Sequence, residues 1–221
     1  MSGEGPDAKP NADLAYGEPR WLTWARELQA LAQNGLAYAQ SPFDVERYAA
    51  VRRIAVEMMA AQTGADAAAL QDLFDGESGY ATPKVDVRGV VFRDGRILLV
   101  RERSDGLWSL PGGWADVNES PSEVAEREVW EESGYRTRAV KLLAVWDRSR
   151  HGHPPHAFSI YKVALRCELL AGAPASSVET DGAAFFAPDD LPELSVGRVT
   201  AAQIARFFDH LHQPDLPADF D

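Results

Sequence analysis

A dense cluster of carboxylates is the feature of this 221-residue chain that most clearly indicates chemistry. Residues 113–135 include seven acidic side chains and one basic side chain, Arg127. Three of the acids, Glu128, Glu131 and Glu132, share one face of a predicted helix with that arginine, because helical residues turn by about 100° each. Like charges at this spacing repel one another, whereas Mg²⁺ and Mn²⁺ prefer oxygen ligands. The cluster therefore predicts a site for a hard divalent cation.

The residues around these glutamates complete a pattern with fixed spacing. It consists of Gly113, five residues, Glu119, seven residues, Arg127-Glu128, two residues, Glu131-Glu132, one residue, Gly134 and Tyr135. This pattern resembles the Nudix box at every fixed position. Tyr135 stands where the family usually has an aliphatic residue, which should affect packing and not chemistry. The resemblance implies a hydrolase of nucleoside diphosphates linked to another moiety X, in which water attacks the phosphoanhydride with the help of two or three Mg²⁺ or Mn²⁺ ions.

The resemblance also implies a role for each residue of the box. Glu128 and Glu131 would act in catalysis, and Arg127 would orient a box carboxylate through a charge-assisted hydrogen bond. The metal-binding set that it implies is the Gly113 carbonyl, Glu119, Glu128, Glu131 and Glu132.

Nudix enzymes often add an acidic residue from outside the box as a base or an extra ligand. Glu179, which lies shortly before the apolar Phe185-Phe186 pair, resembles that residue. Asp181 is the rival candidate. Glu179 is therefore the predicted additional catalytic carboxylate.

Four further residues are candidates for contact with the substrate. Arg88, Arg101 and Arg103 could hold phosphates, because the arginine fork matches phosphate oxygens bidentately. His153 belongs to a histidine-rich loop with His151 and His156, which could contact substrate or simply be exposed. Each arginine could equally be a surface residue.

A longer resemblance extends on both sides of the box and indicates one subgroup of the family. The helical block, the segment 83–89, the run 105–117 and His153-Pro154-Pro155 resemble a Nudix subgroup with an N-terminal helical extension. That subgroup includes CDP-choline pyrophosphatases with some ADP-ribose activity. It implies a nucleoside monophosphate and phospho-X as products, and a homodimer formed through the helical extension.

Hydrophobic periodicity predicts how the chain is organised. Its segments are a flexible lead-in (1–17), a helical domain (18–76), a linker (77–83), the Nudix hydrolase domain (84–212) and a frayed C-terminal tail (213–221). In the first helix, Trp21, Trp24, Leu28 and Leu31 form the predicted apolar face, and Asn34-Gly35 is predicted to end it. The predicted fold is α/β: a Nudix-like mixed-sheet α/β/α sandwich after a small helical domain.

Composition excludes several classes of protein and leaves some functions open. The net charge of −12 argues against nucleic-acid partners, and no apolar segment reaches the roughly 20 residues of a membrane span. A single cysteine and an N-terminus unlike a signal peptide predict a cytoplasmic protein.

The alternatives to a hydrolase of nucleoside diphosphate derivatives are a nucleotide-sugar sensor without catalysis, an isomerase, or a hydrolase of nucleoside triphosphates or RNA ends. The complete glutamate set argues against a pure binder.

Overall fold

The computed structural model describes residues 18–221 and divides the chain into two units. One unit ends at Thr82 and the other runs from Pro83 to Asp221. The predicted linker, residues 77–83, contains this boundary. The lead-in predicted for residues 1–17 lies outside the described residues.

Three helices form the first unit: α1 (Arg20–Tyr38), α2 (Pro42–Thr63) and α3 (Ala67–Asp75). Pro42 opens α2, where the missing N–H costs nothing, and Gly64 ends it in a left-handed conformation with φ 71°. The Asp66 side chain caps α3 by accepting hydrogen bonds from the Ala68 and Ala69 amides. None of the helices in residues 18–221 combines the length and apolarity needed to cross a membrane.

Helix α1 differs from its prediction at its end. It continues through Gly35 to Tyr38, so the predicted end at Asn34-Gly35 was wrong. A glycine inside a helix costs only about 1 kcal/mol. Here a β-carbon at Gly35 would lie 2.3 Å from the Tyr48 ring, so the glycine lets α2 approach α1 closely.

The apolar face predicted for α1 is also not the one buried within the unit. The buried α1 residues include Leu22, Ala25 and Ala32, whereas Trp24 and Leu31 are 47% and 61% exposed. Small side chains allow two helices to pack closely, and the periodicity of the larger ones pointed to a neighbouring face, about 100° around the helix. Helix α1 therefore carries a second, outward apolar face.

The second unit is built on a mixed sheet. Its strands are β1 (Lys84–Arg93), β2 (Arg96–Glu102), β3 (Trp108–Ser109), β4 (Gly112–Trp114), β5 (Tyr135–Asp147), β6 (Ile160–Gly172), β7 (Thr180–Phe186) and β8 (Asp219–Phe220). Their order is β3-β2-β1-β6-β5-β8, with β4 paired to β1 and β7 paired to β2. The β1–β6 and β5–β8 pairs are parallel, and the other pairs are antiparallel.

Two helices cover the two faces of the sheet, α4 (Pro121–Ser133) and α5 (Ala201–His212). Val87 and Val91 of β1 pack in a core with Val129 of α4. Val90 points the other way and packs in a core that contains Phe207 of α5. This alternation along β1 confirms the predicted mixed-sheet α/β/α sandwich preceded by a helical region.

The C-terminal tail is anchored, so the prediction that it is frayed was wrong. Strand β8 pairs in parallel with β5. Asp219 accepts two hydrogen bonds of 2.7 Å from Arg206 of α5 and lies 3.1 Å from Nε2 of His210. The hydrogen bonds from Arg206, followed by the contact with His210, hold the pKa of Asp219 below its usual range.

The anchored tail predicts a pH-dependent effect of Asp219→Asn. A carboxylate whose pKa is lowered in the folded state stabilises the fold above its unfolded pKa of about 4, and loses that contribution as pH falls through its folded pKa. We expect the variant to lower the free energy of unfolding by roughly 1 kcal/mol at pH 7, because the pair is partly exposed. Urea unfolding should show this difference shrinking below about pH 4. A difference that stays constant from pH 7 to pH 3 would contradict the assignment.

Candidate active site

Helix α4 presents the glutamates of the box. Ser120 caps the helix and forms a reciprocal capping box with Glu123, and Gly134 ends it in a left-handed conformation with φ 78°. Val124 and Val129 are fully buried against the sheet. The helix is thus fixed at both ends and along one face, and its remaining face can hold charged groups in defined positions.

Arg127 gathers three of the box carboxylates around one guanidinium. Its Nε and Nη2 donate to Glu119 over 3.0 and 2.8 Å. Its Nη1 donates to Glu128 over 2.9 Å and to Glu131 over 3.2 Å. The hydrogen bonds to Glu119, with the nearby Glu128 and Glu131, hold the pKa of Arg127 above its ordinary value. The structure therefore places the predicted arginine where it orients the predicted glutamates.

Glu132 lies deeper than the other box acids. It is 5% exposed, and one carboxylate oxygen accepts a 2.9 Å hydrogen bond from the Gly112 amide. Burial raises the pKa of Glu132 to about 8, against the opposing effect of Arg88, and burial also raises the pKa of Glu128. A carboxylate taken out of water needs a compensating positive charge to stay ionised.

The donors at this face suit a hard divalent cation. Both carboxylates lie against glycine backbone: a β-carbon at Gly113 would lie 3.1 Å from Glu128 Oε1, and Glu132 accepts the hydrogen bond from the Gly112 amide. Such an all-oxygen set matches Mg²⁺ or Mn²⁺. Within residues 18–221, however, no three acidic, His or Cys side chains already converge on one point as a complete site. Arg127 holds Glu119, Glu128 and Glu131, so these side chains would have to turn toward an ion.

Gly112 brings the backbone against Glu132. Its φ is 143°, and a β-carbon there would lie 2.1 Å from the Val87 carbonyl oxygen of β1. Only glycine combines this backbone angle with so close an approach. The residue thus directs its amide to the Glu132 carboxylate.

We expect Gly112→Ala to destabilise the fold strongly. The strained backbone angle and the clash with β1 should together cost about 3 kcal/mol or more, measured by urea unfolding. Gly95→Ala is the matched control, since Gly95 also has a positive φ of 70° but no described heavy atom lies within 4 Å of its added β-carbon. That control should cost about 1–2 kcal/mol. Equal losses in the two variants would show that the close approach at Gly112 is unimportant.

Two adjoining cavities open at the box. The first, of about 520 Å³, is lined by the box side chains Asp116, Arg127, Glu128 and Glu131, and is called the box cavity below. The second, of about 370 Å³, is lined by Arg88, Glu102, Arg148 and Arg198 among others, and is called the arginine cavity. Gly113, Trp114, Glu132 and Glu179 line both cavities. A single bound molecule could therefore extend from one cavity into the other along this shared wall.

The geometry distinguishes the two rival acids outside the box. Glu179 is on the wall shared by both cavities, and its backbone oxygen accepts a 2.8 Å hydrogen bond from the Arg103 amide. Asp181 lines neither cavity and pairs with Arg101 over 2.5 Å. Of the two rivals, Glu179 is therefore the one that lines the cavities.

The predicted substrate contacts are separated by the structure. Arg88 lines the arginine cavity and is buried, with only 7% of its surface exposed. Arg101 and Arg103 are exposed and line neither cavity. His153 also lies outside both cavities and donates from Nδ1 to the Val196 carbonyl over 2.7 Å. Burial lowers the pKa of His153 to about 4. His156 is the residue of the histidine loop that lines the arginine cavity.

A buried charged cluster supports Arg88, and sequence reasoning missed its other members. Asp86 of β1 accepts a 2.7 Å hydrogen bond from Arg88 Nε and another from Lys162 of β6. Burial opposes the charge of Asp86, but the two cations outweigh it and keep its pKa low. Burial lowers the pKa of Lys162 to about 8. Charged residues alternating with valines in a strand buried on both faces were the signal that could have identified this cluster.

Similarity to known sequence families extends over both units. A profile of the NUDIX domain matches residues 82–207. A second profile, described as a UDP-X-like, N-terminal oligomerisation domain, matches residues 19–74.

Individual proteins resemble nearly the whole chain. The chain is 45% identical over 204 residues to YjhB of Bacillus subtilis (strain 168), whose name provisionally assigns it as an ADP-ribose pyrophosphatase; the match covers 92% of this chain and 98% of that protein. The crystal structure of a UDP-X diphosphatase is 32% identical with a TM-score of 0.60, over 91% of this chain and 98% of that one. An ADP-ribose pyrophosphatase from Streptococcus suis 89-1591 is 39% identical with a TM-score of 0.59, over 63% of this chain and 100% of that one.

Proposed function

Because the chain belongs to the Nudix hydrolase family, we propose that it uses Mg²⁺ or Mn²⁺ to hydrolyse the phosphoanhydride of a nucleoside diphosphate linked to a moiety X. The products would be a nucleoside monophosphate and phospho-X. The observation that carries the proposal is the wall formed by Gly113, Trp114, Glu132 and Glu179, where the box meets two cavities. A diphosphate lying across this wall would place its two halves in different cavities.

The residues of the chain would divide the reaction between them. The Gly113 carbonyl, Glu119, Glu128, Glu131 and Glu132 would hold two to three ions, which neutralise phosphate oxygens and make bound water more acidic. Glu179 would accept the proton of the attacking water as its oxygen bonds to phosphorus and the bridging P–O bond breaks. Arg127 would hold Glu119, Glu128 and Glu131 close to the ions through its hydrogen bonds. Arg88 would bind a phosphate oxygen from the arginine cavity.

The names of the relatives bear on the substrate class. YjhB and the Streptococcus suis protein are named for ADP-ribose, and the UDP-X diphosphatase is named for uridine diphosphate derivatives. These names support a substrate of the ADP-ribose type, and the CDP-choline type is what the subgroup resemblance adds. The single buried Cys167 fits the cytoplasmic location proposed for the enzyme.

A substrate panel tests the proposal. Purified protein with Mg²⁺ or Mn²⁺ and a coupled phosphatase would be offered ADP-ribose, CDP-choline, other nucleotide sugars, diadenosine polyphosphates and nucleoside triphosphates. We expect cleavage of the nucleoside diphosphate–X compounds at rates well above those for triphosphates. No cleavage by folded, metal-loaded protein would favour the sensor instead, and preferred cleavage of triphosphates would assign a different hydrolase.

The helical unit is proposed to form a homodimer. Trp24, Leu31 and Tyr38 recur at every seventh position of α1 and are 47%, 61% and 71% exposed. Such a stripe of large apolar side chains on one helix face is typical of a contact with another helix. The match to an oligomerisation domain supports the same conclusion.

Disrupting the α1 stripe should change the oligomeric state. We expect Leu31→Asp to convert a dimer to a monomer in size-exclusion chromatography with light scattering, because it places a charge in an apolar contact. Glu57→Gln, an exposed position on α2, is the control and should remain dimeric. A monomeric wild-type protein, or a dimeric Leu31→Asp variant, would contradict the proposed interface.

A further inference from the structure

Three arginines line the arginine cavity, and Arg88 differs from the other two. Arg148 and Arg198 direct both terminal nitrogens to backbone carbonyls or side chains of the protein. Arg88 donates from Nε to Asp86 over 2.7 Å and from Nη1 to the Leu110 carbonyl over 3.0 Å. Its Nη2 makes no hydrogen bond to any residue in the range 18–221 and is not sealed from solvent. The guanidinium is thus fixed at two nitrogens and offers the third to a group bound in the cavity.

Side chains on neighbouring strands hold this arginine in place. Asp86 lies beside Lys162 in the parallel β1–β6 register, and the Lys162 ammonium donates to the second oxygen of the Asp86 carboxylate. One row further along β1, Arg88 lies between Gly112 of β4 and Ala164 of β6, whose small side chains leave room for the guanidinium. Asp86 therefore bridges two cations, of which Arg88 lines the cavity and Lys162 lies behind it.

The charges of these three residues do not cancel. Asp86, Arg88 and Lys162 are 6%, 7% and 4% exposed, so two positive charges and one negative charge share a site that is largely closed to water. The pKa of Lys162, about 8, keeps its ammonium mainly charged at pH 7. The group therefore carries a net charge of about +1, whereas Arg88 and Asp86 alone would be neutral. Buried charges are only weakly screened, so this difference acts on an anion in the cavity.

Other acids on the wall make the net charge of this group important. Three of them line the same cavity: Glu102, Glu132 and Glu179. One is compensated, because Glu102 lies 3.1 Å from Arg198 Nε. The other two lie on the wall shared with the box cavity, where the proposed metal ions would offset them. A phosphate at Arg88 therefore needs a positive charge that Asp86 does not cancel, and Lys162 supplies the compensating charge.

Stability alone does not explain three charged side chains at this place in the sheet. Replacing a buried ion pair with apolar residues of similar size is often neutral or stabilising. The same strand carries fully buried apolar side chains at Val87 and Val90, so its surroundings accommodate such residues. The charged group is better explained by what it presents to the cavity, which is the free nitrogen of Arg88.

We propose that Asp86 and Lys162 are positioning residues for phosphate binding in the arginine cavity. Asp86 fixes the orientation of the Arg88 guanidinium, and Lys162 offsets the charge of Asp86 so that the charge of Arg88 remains available to a phosphate group. Both residues act through Arg88. The inference rests on the proposed function for the identity of the bound anion.

Neutralising the two residues singly and together tests this charge compensation. At pH 7 with ADP-ribose and Mg²⁺, Lys162→Gln should raise KM about tenfold and leave kcat within about threefold, because Arg88 and Asp86 then form a neutral pair. Adding Asp86→Asn to Lys162→Gln should return KM to within about threefold of wild type. The amide oxygen of asparagine can still accept the hydrogen bond from Arg88, and the charge of Arg88 is again uncompensated. A purely structural role predicts the opposite, a second loss on top of the first.

Two further variants complete the comparison. In an Arg88→Met background, Lys162→Gln should change KM by less than about twofold, because the residue through which it acts is absent. Arg138→Gln, which removes an exposed charge paired with Glu168 on the same sheet, is the matched control and should keep the wild-type KM. Should Lys162→Gln fail to fold, Lys162→Met removes the same charge with an apolar side chain in its place. An unchanged KM after loss of the Lys162 charge, or a KM raised further by the added Asp86→Asn, would overturn the inference.

Binding of a diphosphate that cannot be cleaved separates this inference from the proposed reaction. Titration calorimetry would use α,β-methylene-ADP with Mg²⁺, in which a carbon replaces the bridging oxygen. If no nucleoside diphosphate derivative is hydrolysed, the proposed function fails, yet binding that weakens about tenfold in Lys162→Gln and recovers in the paired variant would still support the inference. Equal binding by the wild-type and Lys162→Gln proteins, or no binding by the wild type, would overturn it.

Discussion

Glu132→Gln and Glu128→Gln should each lower kcat about a thousandfold and leave the protein folded. Loss of one carboxylate from a metal site removes several kcal/mol of charge stabilisation in the transition state, and each 1.4 kcal/mol is about tenfold in rate. The folded state should survive, since the amide oxygen of glutamine can still accept the hydrogen bond that the Gly112 amide donates to Glu132. Rates would be measured with saturating ADP-ribose and Mg²⁺, and folding by thermal unfolding.

Glu126→Gln is the matched control on the same helix. Glu126 lines neither cavity, and its Oε1 accepts a 2.8 Å hydrogen bond from the Ala139 amide that a glutamine could also accept. Its kcat should stay within about twofold of wild type, as expected of a residue outside the reacting groups. Wild-type rates in both box variants would remove the basis for a metal-dependent mechanism at this face.

Glu179→Gln is expected to have the second-largest effect. A general base contributes about 10²–10⁴-fold to the rate, and Glu179 is the acid outside the box that lines both cavities. We therefore expect kcat to fall by about 10²-fold or more with KM little changed, because glutamine keeps the shape but cannot accept the proton of water.

Asp181→Asn gives the comparison for Glu179. The carboxylate of Asp181 is paired with Arg101, and both side chains are partly exposed. Exposed pairs of this kind contribute little, so the variant should stay within about threefold of the wild-type kcat. If Asp181→Asn were the more damaged variant, the additional carboxylate would have to be reassigned.

The box and the ends of α4 were predictable from local sequence. Ser120-Pro121 and Gly134 act through hydrogen bonds and backbone angles within a few residues, so local sequence alone is enough to mark where the helix begins and ends. The positions of Arg127 and the glutamates on one face follow from helical geometry alone. No knowledge of the rest of the fold was needed for that part of the site.

The wall of the arginine cavity could not be predicted in the same way. Arg148 reaches it from a short 3-10 helix after β5, and Arg198 reaches it from a loop. Their positions depend on carbonyls and carboxylates far away in sequence, such as Gly197 for Arg148 and Glu102 for Arg198. Conversely, Arg101 and Arg103 flank the motif in sequence but pair with the segment 177–181. A charge that is close in sequence to a motif need not face it.

Long-range pairing also explains the errors at the two ends of the described chain. The tail carries little hydrophobic pattern, yet Asp219 and Asp221 bind partners in α5 and near the end of β5. On α1, periodicity identified the large apolar side chains, whereas the close packing of α1 against α2 buries mainly small ones. The burial of α1 and the anchoring of the tail each depend on another segment of the chain, which local sequence patterns do not reveal.

Phosphorus NMR of a single reaction would show whether the protein cleaves the anhydride and needs a metal ion to do so. With ADP-ribose and Mg²⁺, the diphosphate resonances should be replaced by those of AMP and ribose 5-phosphate. Removal of the metal with EDTA should stop the reaction, and added Mg²⁺ should restore it. Cleavage at an unchanged rate without metal, or release of ADP with its diphosphate intact, would contradict metal-dependent hydrolysis of the anhydride.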